Sequence, residues 1–163
     1  MNNIELQKKV NAAMRTLIKE KGCASPAEVL IAIGVLSKQD YENWRFGRVP
    51  YLEKACKINL SKLSTINHEI RAYATRAHLK ASWTAYMKWG NKKGQRKIRI
   101  QFSKSGDEKI ERLYATHYVS ASAARAANER KEHAESSDNS ECDNSSTAGG
   151  DARNATRSEE SRS

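Results

Sequence analysis

Proline, cysteine and long apolar runs are all in short supply in this chain, and each shortage excludes something. There are two prolines, both placed where a helix would begin. Three cysteines, Cys23, Cys56 and Cys142, make an odd set with no CxxC pair. That pattern argues against a disulfide framework and suits a reducing cytosol. No window approaches the roughly 18 apolar residues of a membrane span, so no membrane partner is expected. The opening MNNIELQKKV has no long apolar core behind a basic region, so no secretory signal is expected and a cytoplasmic location follows.

Catalytic signatures are missing as well. Ser103-Lys104-Ser105-Gly106 lacks the Gly-x4-Gly-Lys-Ser/Thr frame of a phosphate-binding loop. His68, His78, His117 and His133 show no metal-ligand spacing with each other or with the cysteines. His117 beside Asp107, Glu108 and Glu111 offers the raw materials of a metal-dependent nuclease, but acids at a helix start are explained by the helix dipole. The cysteines have no base partner in the sequence and read as small core residues. No enzyme activity, metal or cofactor is expected.

What the chain does have is positive charge, unevenly spread. Residues 1–119 carry 23 Lys and Arg against 10 Asp and Glu, whereas residues 120–163 carry 6 against 9. A basic body with an acidic tail suits a polyanionic partner.

Residues 3–21 have the spacing of an amphipathic helix, with Leu6, Val10, Ala13, Met14, Leu17 and Ile18 on one face and Gly22 as its stop. Ser25-Pro26-Ala27-Glu28 reads as a capping box opening a helix over 26–33 that ends at Gly34. Ser37 caps a helix over 38–46 with Tyr41 and Trp44 on one face, and a further helix is expected over 50–57. A longer one over 60–78 carries Leu63, Ile66, Ile70, Tyr73 and Ala77 on a near-heptad stripe. That stripe either packs on the first helix or supports a homodimer.

From Lys80 the period changes. Trp83, Ala85, Met87 and Trp89 alternate with Thr84, Tyr86 and Lys88, and Ile98, Ile100 and Phe102 alternate with Lys97, Arg99 and Gln101. These two runs flank a Gly-containing loop and predict a β-hairpin with the isoleucines inward and Tyr86, Lys88, Lys97 and Arg99 outward. A short helix near 107–114 and the run YATHYV end the ordered region. Residues 120–163 have no Trp, Phe, Leu, Ile or Tyr, so a disordered tail is expected, with Ala121–Arg130 able to extend briefly as helix. The expectation is an α+β, mostly helical domain over 1–119: a helical bundle, a basic hairpin and a short helix, followed by a disordered tail over 120–163.

The stretch Val29–Pro50, through Gly34, Ser37, Tyr41, Trp44, Gly47 and Pro50, resembles the helix-turn-helix of phage repressors, with Val35-Leu36-Ser37 one residue longer than the usual turn. The chain as a whole also looks like small bacterial proteins, which implies no activity. The helix-turn-helix resemblance implies that 38–46 is a recognition helix. Gln39 and Asn43 would then pair with base edges, while Lys38, Arg45 and Arg48 would hold phosphates. Glu42 places a negative charge on the same helix.

The hairpin is a second candidate surface. Lys88, Lys92, Lys93, Arg96, Lys97 and Arg99, with Lys104 just beyond, meet no acid before Asp107. A basic ribbon fits phosphate, and an outward Tyr86 would stack on an unpaired base. The expected function is a small, non-enzymatic nucleic-acid-binding protein, with DNA ahead of RNA. The alternative is a protein–protein adaptor that binds through the 60–78 stripe or the Trp83/Trp89 face.

Overall fold

The structure is a computed structural model that describes residues 2–138. Its helices are α1 (Asn3–Lys21), α2 (Pro26–Ala32), α3 (Lys38–Arg45), α4 (Leu52–Ala55), α5 (Leu60–Arg76), α6 (Glu108–Ala115) and α7 (Ala121–Asp138). Strands β1 (Cys23–Ala24), β2 (Lys80–Trp83) and β3 (Thr116–Val119) complete the elements. The fold is α+β and mostly helical. Among the described residues no helix is long and apolar enough to cross a membrane.

Caps set the helix boundaries. Asn2 accepts the Glu5 amide (2.7 Å) to start α1, and Gly22 ends it in the left-handed region at φ +72°. At α2 the capping box is complete, with the Glu28 amide donating to Ser25 Oγ and the Ser25 amide donating to Glu28 Oε2. Lys21 pairs with the same carboxylate at 2.7 Å. Ser37 caps α3 through the Asp40 amide. The helix expected over 50–57 is confined to the single turn of α4.

The stripe on α5 lies against α1, with Leu63, Ile66 and Ile70 buried beside Leu6, Val10 and Met14. The homodimer expected through 60–78 loses its surface to this packing, because apolar side chains covered within the chain have no area left for a partner. Polar edges of the same pair are also satisfied. Asn11 donates to Glu69 Oε1 (2.7 Å), and Arg76 reaches both Asn11 Oδ1 (2.8 Å) and Glu69 (3.1 Å). Burial pushes the Glu69 carboxyl up, but the Asn11 and Arg76 hydrogen bonds bring it below its ordinary value.

The sheet is elsewhere than expected. YATHYV, read as the end of the ordered region, supplies β3, the middle strand of an antiparallel β1-β3-β2 sheet. Ala24 pairs with Tyr118, and Trp83 with Thr116. Strands of two and four residues are too short for period-two alternation to be visible.

Two compact units divide the chain at Ala127/Asn128. The described part of the second is the C-terminal portion of α7. Helix was allowed over Ala121–Arg130 and continues to Asp138, because the Ala, Arg, Glu and Lys of this run are strong helix formers. The remaining disorder expected over 139–163 lies outside the described residues.

Candidate nucleic-acid interface

The hairpin exists as two arms with little ladder. Lys88 N–H donates to Ile98 O (2.8 Å), Ile100 N–H donates to Tyr86 O (3.0 Å), and one antiparallel bridge joins Met87 to Arg99. Its first arm is inverted relative to expectation at Tyr86. This ring is buried and packs on Phe102 (5.0 Å) and Trp44 (5.9 Å), and its hydroxyl meets His117 Nε2 at 2.7 Å. Alternation alone does not say which face meets the core, and a shift of one residue exchanges every side chain. Tyr86 is therefore unavailable for stacking, and burial pushes its hydroxyl up to about 12. Trp83 and Trp89, the rings named for an adaptor face, are 49% and 39% exposed. Ile98, expected inward, is 55% exposed because its part of the arm runs past the core edge, whereas Ile100 and Phe102 are buried.

The second arm is rooted firmly. Trp44 Nε1–H donates to Gln101 O (2.7 Å), and the Leu52 and Glu53 amides donate to the carbonyls of Gln101 and Phe102. The buried Glu111 carboxylate accepts from the amides of Phe102 (2.9 Å) and Ser103 (2.7 Å) and from Ser103 Oγ (2.7 Å). Backbone donors thus take the place of a cation in offsetting its burial.

The two basic surfaces expected separately meet at the end of α3. Trp89 N–H donates to Arg45 O at 2.7 Å, and Phe46 packs edge-on against Trp89 (5.6 Å). Gly47 sits at φ +73°, and a Cβ there would come within 2.8 Å of Lys88 Cε. Glycine adopts that backbone conformation without strain and leaves room for the end of the lysine.

The α3 candidates divide. Lys38 and Gln39 are exposed at its start. Asn43 is half-buried and its Oδ1 accepts from Arg48 Nη1 (3.1 Å), which occupies half of the pattern an adenine edge needs. Arg45, expected on phosphate, lies over the rings of Trp89 (4.5 Å), Tyr86 (4.8 Å) and Tyr41 (5.9 Å). Its Nε is buried without a hydrogen-bond partner among the described residues. Its guanidinium therefore fastens the hairpin to α3, held by three π-faces. The signal was present in sequence, since Tyr41 and Arg45 stand four residues apart on one helix. Arg48 is exposed, with its guanidinium over Phe46 (5.2 Å).

On the hairpin itself, Lys92, Lys93, Arg96, Lys97 and Arg99 are exposed and Lys88 is partly so. The tip is turned by bonds between Lys92 and Gln95 and from Asn91 to Arg96 O. Arg99 lies over Trp83 at 5.4 Å. None of these cations, nor Arg45 or Arg48, is within 4.0 Å of a carboxylate among the described residues, where the ion pairs are Lys9–Glu5, Lys21–Glu28 and Arg76–Glu69. Residues 70–106 contain no acid at all.

The nuclease-like set is dispersed. His117 faces Tyr86, Glu111 holds the 102–103 backbone and Asp107 caps α6 through the Lys109 and Ile110 amides. Among the described residues no three His, Cys, Asp or Glu side chains converge as a metal site. A cavity of about 680 Å³ lies between α5, α6 and the 104–105 loop, lined by Asn67, Arg71, Lys104 and Tyr114 among others. Of the cations singled out in the sequence only Lys104 reaches it. Comparison with protein-family models, curated proteins and solved structures gave no match.

Proposed function

We propose that this chain is a small, non-enzymatic nucleic-acid-binding protein. It grips the phosphate backbone with its basic hairpin, which is seated on the C-terminal end of the helix-turn-helix-like element. The observation that carries this reading is the set Arg48, Lys88, Lys92, Lys93, Arg96, Lys97 and Arg99, free of carboxylate partners among the described residues and spread over the end of α3 and the hairpin, whose second arm is anchored in the core. Unpaired cations held at a loop tip gain most from a ligand that is itself a line of charges. DNA stands ahead of RNA because of the helix-turn-helix resemblance, and the cytoplasm is the setting. The exposure of Trp83 and Trp89 favours a second reading, an adaptor that docks a protein on those rings.

Fluorescence anisotropy of a labelled oligonucleotide over a salt series tests the proposal. Binding should weaken steeply with salt. Lys92→Gln, Lys93→Gln and Arg96→Gln combined should reduce the slope of log K against log salt by roughly 0.9 per lost contact on duplex and about 0.7 on single strands. Absence of binding to duplex, single-stranded DNA and RNA alike at low salt would leave the adaptor.

A further inference from the structure

We infer that the strand this surface takes is unpaired, with Trp83, Trp89 and Phe46 serving as base-stacking platforms; this rests on the nucleic-acid reading above. Among the described residues these three are the aromatic rings left substantially exposed, at 49%, 39% and 40%, and all three stand amid the basic residues. Two of them carry an exposed arginine, Arg99 over Trp83 and Arg48 over Phe46, while the enclosed Arg45 covers one side of Trp89. Cation and ring together match a nucleotide, whose phosphate is anionic and whose base has a π-face.

A duplex makes no use of such rings, because its bases already cover each other's faces. Groove reading by α3 is also poorly equipped. Asn43 has its carboxamide oxygen engaged by Arg48, Arg45 is enclosed by aromatic rings, and Glu42 adds a negative charge. That leaves Lys38 and Gln39 as the exposed candidates at the start of the helix, too few to set a register on a major groove. The exposed rings and the free cations are both explained by a splayed strand, whose bases lie on the rings while its phosphates follow Lys88, Arg99 and the tip. The apolar cost of leaving two tryptophans in solvent is then recovered on binding.

The test uses the full chain and three fluorescein-labelled probes: dT20, U20 and a mixed-sequence 20-base-pair duplex, at matched salt. At least one single strand should bind about tenfold or more tightly than the duplex, and the salt slope for that strand should be the smaller one. Trp83→Ala should weaken single-strand binding by about five- to a hundredfold with its salt slope unchanged, the range expected for one lost stack. Trp89→Leu should act in the same direction, and a circular-dichroism melt guards against loss of the Arg45 contact. The combined Lys92, Lys93 and Arg96 variant should instead weaken all probes and flatten the slope. Duplex binding equal to or tighter than both strands, or single-strand binding indifferent to Trp83→Ala, overturns the inference and leaves the wider reading intact. Failure of all three probes removes the wider reading itself.

Discussion

The α1–α5 pair and the 84–102 hairpin are built on opposite principles. In the helix pair, apolar stripes close on each other, and Asn11, Glu69 and Arg76 form one polar network across the seam. In the hairpin, two interstrand hydrogen bonds, exposed rings and unmatched cations prevail. One region has satisfied its chemistry internally and the other has left it open. Stability is therefore concentrated in the helices. The hairpin is joined to the helical part through α3 and α4, where Trp44 donates to Gln101 O, Trp89 donates to Arg45 O and the Leu52 and Glu53 amides reach the second arm.

Breaking that coupling should have the largest effect. Trp44→Ala removes a fully buried ring and leaves Gln101 O without its donor, so a loss of about 3–5 kcal/mol is expected in urea unfolding. A loss near zero would contradict its place in the core.

The contrast is sharpened by two isoleucines. Ile70 is 1% exposed on α5 and Ile98 is 55% exposed on the hairpin. Ile70→Ala should cost about 2–5 kcal/mol and Ile98→Ala about 0.5 or less. Similar losses for the two variants would erase the distinction between the regions.

Next in size is Glu111→Gln, which keeps the shape but removes the charge that gathers the Phe102 and Ser103 amides. A loss of about 1–3 kcal/mol is expected, because hydrogen bonds to a charged acceptor are the stronger kind. Equal thermal stability with and without the charge would show that these bonds add nothing.

The smallest effect concerns pH. Burial pulls His117 below its ordinary 6.5, with Glu28 opposing. The unfolded chain therefore takes up the proton first, and stability is full above about 6.5 and declines as pH falls through that value toward the folded pKa. Glu28 and Glu69 are pushed up by burial, but Lys21 and Ser25 for the first, and Asn11 and Arg76 for the second, hold them below 4.5. Their contribution is present above about 4.5 and is lost only at lower pH. Between pH 7 and 5, His117→Gln should lose less melting temperature than the unmodified chain, and parallel profiles would refute the assignment.

Much of the helical half was legible in the sequence, because caps and stripes are local. The Ser25/Glu28 box, Ser37 and Gly22 mark their helix ends with residues only a few positions away. The sheet was not legible, since β1 and β3 meet across nearly a hundred residues and are only two and four residues long. At the candidate interface the cations were visible as a run, but the orientation of Tyr86 and the enclosure of Arg45 depend on contacts between α3, the hairpin and β3. The 60–78 stripe left its cover open between the first helix and a second copy for a related reason, since periodicity shows that a face is apolar and not what covers it; in the structure α1 lies on it.

The Glu111 carboxylate also sets a timescale. Its donors lie at the root of the hairpin's second arm, where Leu52 and Glu53 also donate to the arm's carbonyls, whereas the tip is held by Asn91, Lys92 and Gln95 alone. In deuterated water the Lys92 and Gln95 amides should exchange early, through brief fraying of the tip. Those of Phe102 and Ser103 should persist until the whole domain opens. The hairpin would then behave as a lever with a fixed base and a mobile end, its tip opening many times within one lifetime of the folded core.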